Sequence, residues 1–329
     1  MLFFETFLVL SSTIYPIITT SVNNYLQHTI KKNISFKGIG LHYGNIINVT
    51  LTPAEENTGI IFKRTDVKKN QIIKAKYKNV SSTQLCTTIS NSSGVSVSTI
   101  EHLMAAIYIT GIDNLIVEID NNEVPIMDGS SSDFIEIIKT AGIKEQSKNR
   151  KFLKICKEVN LKDGTKSIKI KPNNFGLSID FELNYENQII GNQKNKIDFY
   201  KDQLKDVYSS RTFCLYEDIE QIKKVGLAKG GSLDNAIVVD NKKVLNPNGL
   251  RNKNEFVNHK ILDVCGDMML SGSRVLGDVS CKEGGHKITL GLLKKIFENS
   301  SNFVLIDIEN IELITKDLKK SKINLSATA

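Results

Sequence analysis

His259, Asp263 and Asp267 follow one another at four-residue steps in NEFVNHKILDVCGDMML. On a helix they form a stripe drifting about 40° per step. Val257, Ile261, Val264, Cys265, Met268 and Met269 gather on the opposite face. A His and an Asp one turn apart can share a cation, and that donor pair suits zinc. The same stripe also fits an exposed polar face with a weak His–Asp contact. Farther back, Glu101 and His102 open a segment in which every position from Leu103 to Ile109 is apolar or aromatic. No face is left for water, so the segment should be buried nearly all round. Buried unpaired, two such polar groups would cost roughly several kcal/mol, so they need partners. Taken alone, the pair fits equally a capping Glu beside a core histidine. Joined, His102, His259 and Asp263 make three ligands with a fourth position open, the catalytic type of zinc site. Glu101 stands where a general base could reach the reacting water.

His286 follows two glycines in GGH, on an expected loop where it could lean over a site or simply decorate the surface. Asp267 is its candidate partner and would favour the imidazolium. SSRTFCLYEDIEQIKKVGLAKGGS combines the Thr212 hydroxyl, a short amphipathic helix and a flexible Gly-Gly; an ordinary surface insertion fits as well. GIGLHYG lacks the spacing of a dinucleotide fingerprint and reads as a tight turn between strands, with His42 as a turn residue or part of a site rim.

The elements that must position these residues alternate in type. IINVTLTP, GIIFKRT, QIIKAKYKNV and LCTTIS read as strands. A helix follows through STIEHLMAAIYIT, with Ser98 as N-cap and Glu101 completing a capping box. Strand NLIVEID, the turn VPIMDGSSS and helix SDFIEIIKTAG come next, and the polar KEQSKNRK at about 144 to 151 reads as a linker. The second half repeats the plan: strands FLKICKEVNL, KSIKIKP and LSIDFELNY, a polar insertion, strand AIVVD, the His259 helix and strand VLGDVS. That repetition predicts a duplicated α+β unit. KDLKKSKINLSATA reads as a solvated tail.

With 329 residues and 40% hydrophobic content, the chain can build two cores. Its net charge of +7 is scattered and forms no basic stripe with interleaved aromatics, so nucleic acid is not the expected partner, while a phosphate-bearing small molecule suits the balance. Five widely spaced cysteines without a CxxC pair fit a reducing compartment and neither a disulfide framework nor a thiolate zinc site. The apolar start MLFFETFLVLSSTIYPIITTS lacks a basic n-region and contains Glu5 and Pro16. It fits an extension ahead of the true start or a membrane-associated or targeting segment. No later run approaches membrane-spanning length.

GIGLHYG, GIIFKRTD, STQLCTT, STIEHLMAA, GIDNLIVEID, PIMDGSSSDF, RTFCLYEDIE, GGSLDNAIVVD, FVNHKILDVCGD and GGHKITL stand in the order found in the UDP-3-O-acyl-N-acetylglucosamine deacetylases of lipid A synthesis. The chain resembles that family over roughly residues 29 to 310. The resemblance implies two related α+β domains, each with helices packed on β-sheets, with the active site in the cleft between them. The expected divisions are an extension at 1–28, domains at 29–147 and 148–312, and a tail at 313–329. It implies a zinc ion on His102, His259 and Asp263, Glu101 as general base, His286 as second catalytic group with Asp267 as its partner, and Thr212 at the oxyanion. Lys260, Ile219, Leu85, Cys86, Phe213 and Gly231 would contact substrate, with the Leu227 to Leu233 stretch along the acyl passage. Gln84 and Leu233 fall where family members vary, so acyl length is not legible. The expected activity is removal of the N-acetyl group from the UDP-linked, acylated amino sugar, the committed step of lipid A synthesis. The implied setting is cytoplasmic, without a stable membrane span, peripheral association being allowed. The competing expectation is a non-catalytic binder of nucleotide sugars or acyl chains on the same fold.

Overall fold

The computed structural model describes residues 25–307. In its first half run β1 (Leu26–Ile30), β2 (Ile34–Ile39), β3 (Ile46–Pro53), β4 (Ile60–Arg64), β5 (Ile72–Lys74), β6 (Val80–Ser82), β7 (Thr88–Ser90), β8 (Ser96–Val97), α1 (Glu101–Ile109), β9 (Leu115–Ile119), α2 (Ser132–Ala141) and β10 (Ile143–Asn149). The second half holds β11 (Phe152–Ile155), β12 (Val159–Asp163), β13 (Lys166–Pro172), β14 (Leu177–Asn184), β15 (Asn192–Asp198), α3 (Lys205–Tyr208), β16 (Phe213–Leu215), α4 (Ile219–Lys224), β17 (Ile237–Val239), α5 (Glu255–Met268), β18 (Arg274–Lys282), α6 (His286–Glu298) and β19 (Phe303–Ile306).

Duplication is visible in the sheet connectivity. In the first half β9, the strand after α1, enters the sheet between β3, antiparallel to it, and β4, parallel to it. In the second, β18, the strand after α5, enters between antiparallel β13 and parallel β14. Each central strand is then followed by an amphipathic helix, α2 or α6, whose apolar stripe is buried. The fold is therefore α+β with two related units. Alternation sets each sheet face: β4 and β9 bury every second residue, and Phe62, Val117 and Ile119 lie in the core. Each such fully buried side chain stabilises the fold by about 1.5–3 kcal/mol.

Several expected boundaries differ. KEQSKNRK is no linker: Ile143–Asn149 pairs antiparallel with β1 in a two-stranded ribbon, with most of its side chains exposed and Gln146 turned in to bond Asn114 and Ala54 O. QIIKAKYKNV breaks into β5, a single 3-10 turn at Tyr77–Asn79 and β6. FLKICKEVNL is interrupted between Ile155 and Val159, and the polar insertion carries β15 on the edge of the sheet. GIGLHYG is the expected tight connection, joining β2 to β3 with Gly40 N–H donating to Asn45 O at 2.9 Å. The apolar start up to residue 24 and the expected tail lie outside the described residues.

Candidate active site

Every residue of α1 from Glu101 to Tyr108 is buried, as its apolar run requires. The expected capping box does not form. The helix begins at Glu101 with Ile100 as N-cap, and Ser98 Oγ donates instead to Asn122 O at 3.1 Å. As the first helical residue, Glu101 cannot reach back as an acid at the third helical position would, and its carboxylate turns inward.

Helix α5 crosses α1 at Gly266, where a Cβ would collide with the carbonyl oxygen of Glu101 and lie 3.2 Å from Ala105 N. This close approach sets His102 beside the polar stripe of α5. Asp263 Oδ1 lies 3.3 Å from His259 Nε2 and 3.6 Å from His102 Nε2, and one ligand atom from each residue lies within 4.8 Å of the others. Tetrahedral zinc with bonds of about 2.0–2.1 Å spaces its ligand atoms about 3.3–3.4 Å apart, so the separations fit. The donors are also prepared. His259 Nδ1 meets Ser210 O at 3.0 Å, which makes it the protonated nitrogen and leaves the Nε2 lone pair available. Asp263 Oδ2 accepts from Lys260 Nζ at 3.0 Å, leaving Oδ1 for the cluster. His102 Nδ1 is buried without a hydrogen-bond partner. Burial holds the His259 ring neutral, pushing its pKa down to about 3 against the pull of Asp263. Burial disfavours the Asp263 charge, yet His259 and Lys260 outweigh it and hold the carboxyl well below its ordinary range. Among the described residues this trio is the cluster with metal-ligand spacing.

Beside it, His286 opens α6 and not a loop, its Nδ1 2.7 Å from Asp267 Oδ2 and its Nε2 3.5 Å from Glu101 Oε1. Burial alone would lower its pKa, but Asp267 and then Glu101 push it up to about 10. Glu101 is raised by burial, with His286 and His102 opposing. A buried carboxylate and an imidazolium thus face each other at the edge of the metal cluster.

A cavity of about 570 Å³ lies against His286 and Lys260, and Leu85, Thr212, Phe213, Tyr185 and Ile222 are among its other walls. Lys260 Nζ stands 5.3 Å from the Phe213 ring centre, and Phe213 packs edge-on against Phe256 at 5.0 Å. Thr212 is fixed from both sides: its N–H donates to Gly129 O at 2.8 Å and its carbonyl accepts from Ile237 N at 2.7 Å. The preceding Arg211 pairs with Glu255, which is fully buried and accepts from the Arg211 guanidinium and from the Arg211 and Arg251 backbone N–H groups.

Three of the expected substrate contacts are not among the residues that line this cavity. Ile219 begins α4, but Ile222 of that helix lines the cavity. Cys86 is buried behind Leu85, its thiol raised to about 12 by burial and the Glu101 charge. Gly231 lies exposed on a loop where the adjacent Gly230 packs so tightly on Gly40 that a Cβ would strike the Gly40 carbonyl. His42 is buried in the turn, with its backbone N–H on Glu123 at 2.7 Å. Sequence reasoning missed Thr87, Tyr185, Ser210 and the Arg211–Glu255 pair. The last two carry no local signal, since their partners are distant in sequence; Thr87 sat inside an apparent strand.

Two buried histidines and a carboxylate at metal-ligand spacing, bordered by a buried acid and a His–Asp pair, on a duplicated α+β fold, define a metal-dependent hydrolase. The chain belongs to the UDP-3-O-acyl N-acetylglycosamine deacetylase family, whose model matches residues 27–298. It is 44% identical over 282 residues to the UDP-3-O-acyl-N-acetylglucosamine deacetylase of a Nitratiruptor species, covering 85% of this chain and 93% of the relative. The protein of the same name from Nautilia profundicola is 46% identical over 271 residues, covering 82% and 91%. That of Histophilus somni is 41% identical over 291 residues, covering 88% and 95%.

Proposed function

We propose that this chain hydrolyses the N-acetyl group of UDP-3-O-acyl-N-acetylglucosamine, yielding the free amine and acetate, as a zinc enzyme of lipid A synthesis. The observation that carries the reading is Glu101 and His286 facing each other at 3.5 Å beside the His102–His259–Asp263 cluster. Two imidazoles and one carboxylate with an open position suit Zn²⁺, which when bound would polarise the amide carbonyl and make water nucleophilic at neutral pH. Glu101, its proton affinity raised by burial, takes the proton of the attacking water. His286, held cationic by Asp267, and the Thr212 hydroxyl donate to the developing oxyanion. The proton reaches the departing amine from Glu101 or His286, the two proton carriers of the site. Lys260 meets the diphosphate or sugar, and Leu85, Phe213, Leu215 and Ile222 offer apolar wall to the acyl chain.

A non-catalytic binder of the same ligand has no use for a buried acid poised against an imidazolium, so the enzymatic reading is preferred. We place the domain division at 147/148, within the last residues of β10, and the reaction in the cytoplasm, a reading that the free cysteines support. Among the described residues no helix is long and apolar enough to cross a membrane. Metal analysis with an acetate-release assay tests the function: Glu101→Ala should keep its zinc and lose deacetylation, and unchanged turnover would refute the assignment.

A further inference from the structure

Thr87 lies in the turn between β6 and β7, 2% exposed, and touches both carboxylates that flank His286. Its Oγ1 donates to Asp267 Oδ1 at 2.7 Å, while its backbone N–H donates to Glu101 Oε2 at 3.1 Å. The other oxygen of each carboxylate faces His286: Asp267 Oδ2 at 2.7 Å from Nδ1, Glu101 Oε1 at 3.5 Å from Nε2. The four residues close a ring, and each carboxylate has one oxygen tied to Thr87 and one turned to the imidazole.

We propose that Thr87 is a positioning residue that orients Asp267 and Glu101 together and thereby sets the ring plane of His286. A carboxylate with one buried oxygen held by a hydroxyl cannot rotate without leaving that oxygen unpaired, a loss that a charge-assisted bond makes large. The main-chain bond to Glu101 comes from the same residue, so the placement of Asp267 on α5 is referred to that of Glu101 on α1. Thr87 touches no reacting atom; it acts through the carboxylates. The inference rests on the deacetylase reading for its kinetic consequence, but its geometric content stands apart from it.

The test compares Thr87→Val and Thr87→Ser with the unmodified enzyme, alone and combined with Asp267→Asn, in the zinc-loaded full chain. Acetate release should show kcat lowered about 10- to 100-fold in Thr87→Val with KM within about twofold, and most of the rate restored in Thr87→Ser. Thr87→Val added to Asp267→Asn should cost little more than Asp267→Asn alone. Zinc stoichiometry and thermal midpoint should stay near those of the unmodified chain. A readout independent of turnover is ¹⁵N NMR of the His286 ring, whose Nδ1 resonance should shift in Thr87→Val and return in Thr87→Ser. An inactive unmodified enzyme that still shows this NMR pattern would sink the deacetylase reading and leave the positioning role standing. Unchanged kcat with an unchanged His286 resonance in Thr87→Val would overturn the proposal. So would a loss not rescued by Ser and accompanied by release of zinc.

Discussion

Gly266→Ala is the substitution whose consequence can be worked most directly from the helix crossing. A methyl group there would overlap the carbonyl oxygen of Glu101 and sit 2.9 Å from the Glu101 carbonyl carbon. Both atoms are backbone of α1 and cannot swing aside as a side chain would. Relief requires the helices to separate by on the order of 1 Å to reach ordinary contact distance. In a helix interior, replacing Gly by Ala gains about 1 kcal/mol of propensity, whereas overpacking a tight core costs about 1–3 kcal/mol, so the net effect on stability is small to moderate loss. The effect on the site should exceed the effect on the fold. His102 rides on α1 and His259 and Asp263 on α5, so separation stretches two of the three ligand spacings, and a 1 Å misplacement can cost about 100-fold in rate. Zinc affinity by chelator competition, acetate release and urea unfolding, measured together, separate the terms. The expectation is a melting change of a few degrees beside a fall in zinc affinity and kcat of about tenfold or more. Zinc affinity and turnover equal to the unmodified chain would refute the claim that this glycine sets the ligand geometry.

Asp267→Asn removes the largest group raising the His286 pKa, which should fall from about 10 toward its ordinary 6.5. Because that pKa is raised on folding, the pair's contribution to stability is full below about 6.5 and is lost as pH climbs through about 10; urea unfolding across that window should show the loss in the unmodified chain and not in Asp267→Asn. Glu255→Gln leaves the Arg211 guanidinium buried against a neutral partner and should destabilise the fold by about 3–5 kcal/mol in urea unfolding. Thr212→Val, removing the hydroxyl proposed to donate to the oxyanion, should lower kcat by about 100- to 1000-fold with KM little changed in the acetate-release assay.

What the sequence could disclose followed from periodicity and burial. An apolar run from Leu103 to Ile109 has to be interior, and His259, Asp263 and Asp267 at four-residue steps have to share a face; the fold buries the run through Tyr108, with Ile109 half-buried, and the three polar residues do share a face. The stripe opposite them was expected to do the packing alone, yet α5 is buried on nearly its whole circumference, because α1 covers the polar side as well. The resemblance placed His286 and Asp267 together, and their 2.7 Å contact agrees. Illegible were features made by tertiary approach. Ser210 orients His259 through a carbonyl that every residue possesses, and Thr87 looks like one more β-former in LCTTIS. The strand Ile143–Asn149 passed for a linker because an exposed ribbon tolerates an almost wholly polar sequence once its backbone is paired. Ser98 carried the right residue type for a cap, but a left-handed Thr99 at φ 58° redirects the chain before the helix starts.

The halves of this fold are near-copies in topology, yet they contribute unequally to the cation cluster, one histidine from α1 against a histidine and an aspartate from α5. Neither copy holds a complete donor set, so the cluster exists only where the two halves meet. A substitution in α5 that shifts the crossing therefore moves His259 and Asp263 relative to His102 without touching a donor. Two halves alike in topology are thus mechanically dependent on each other at this one cluster.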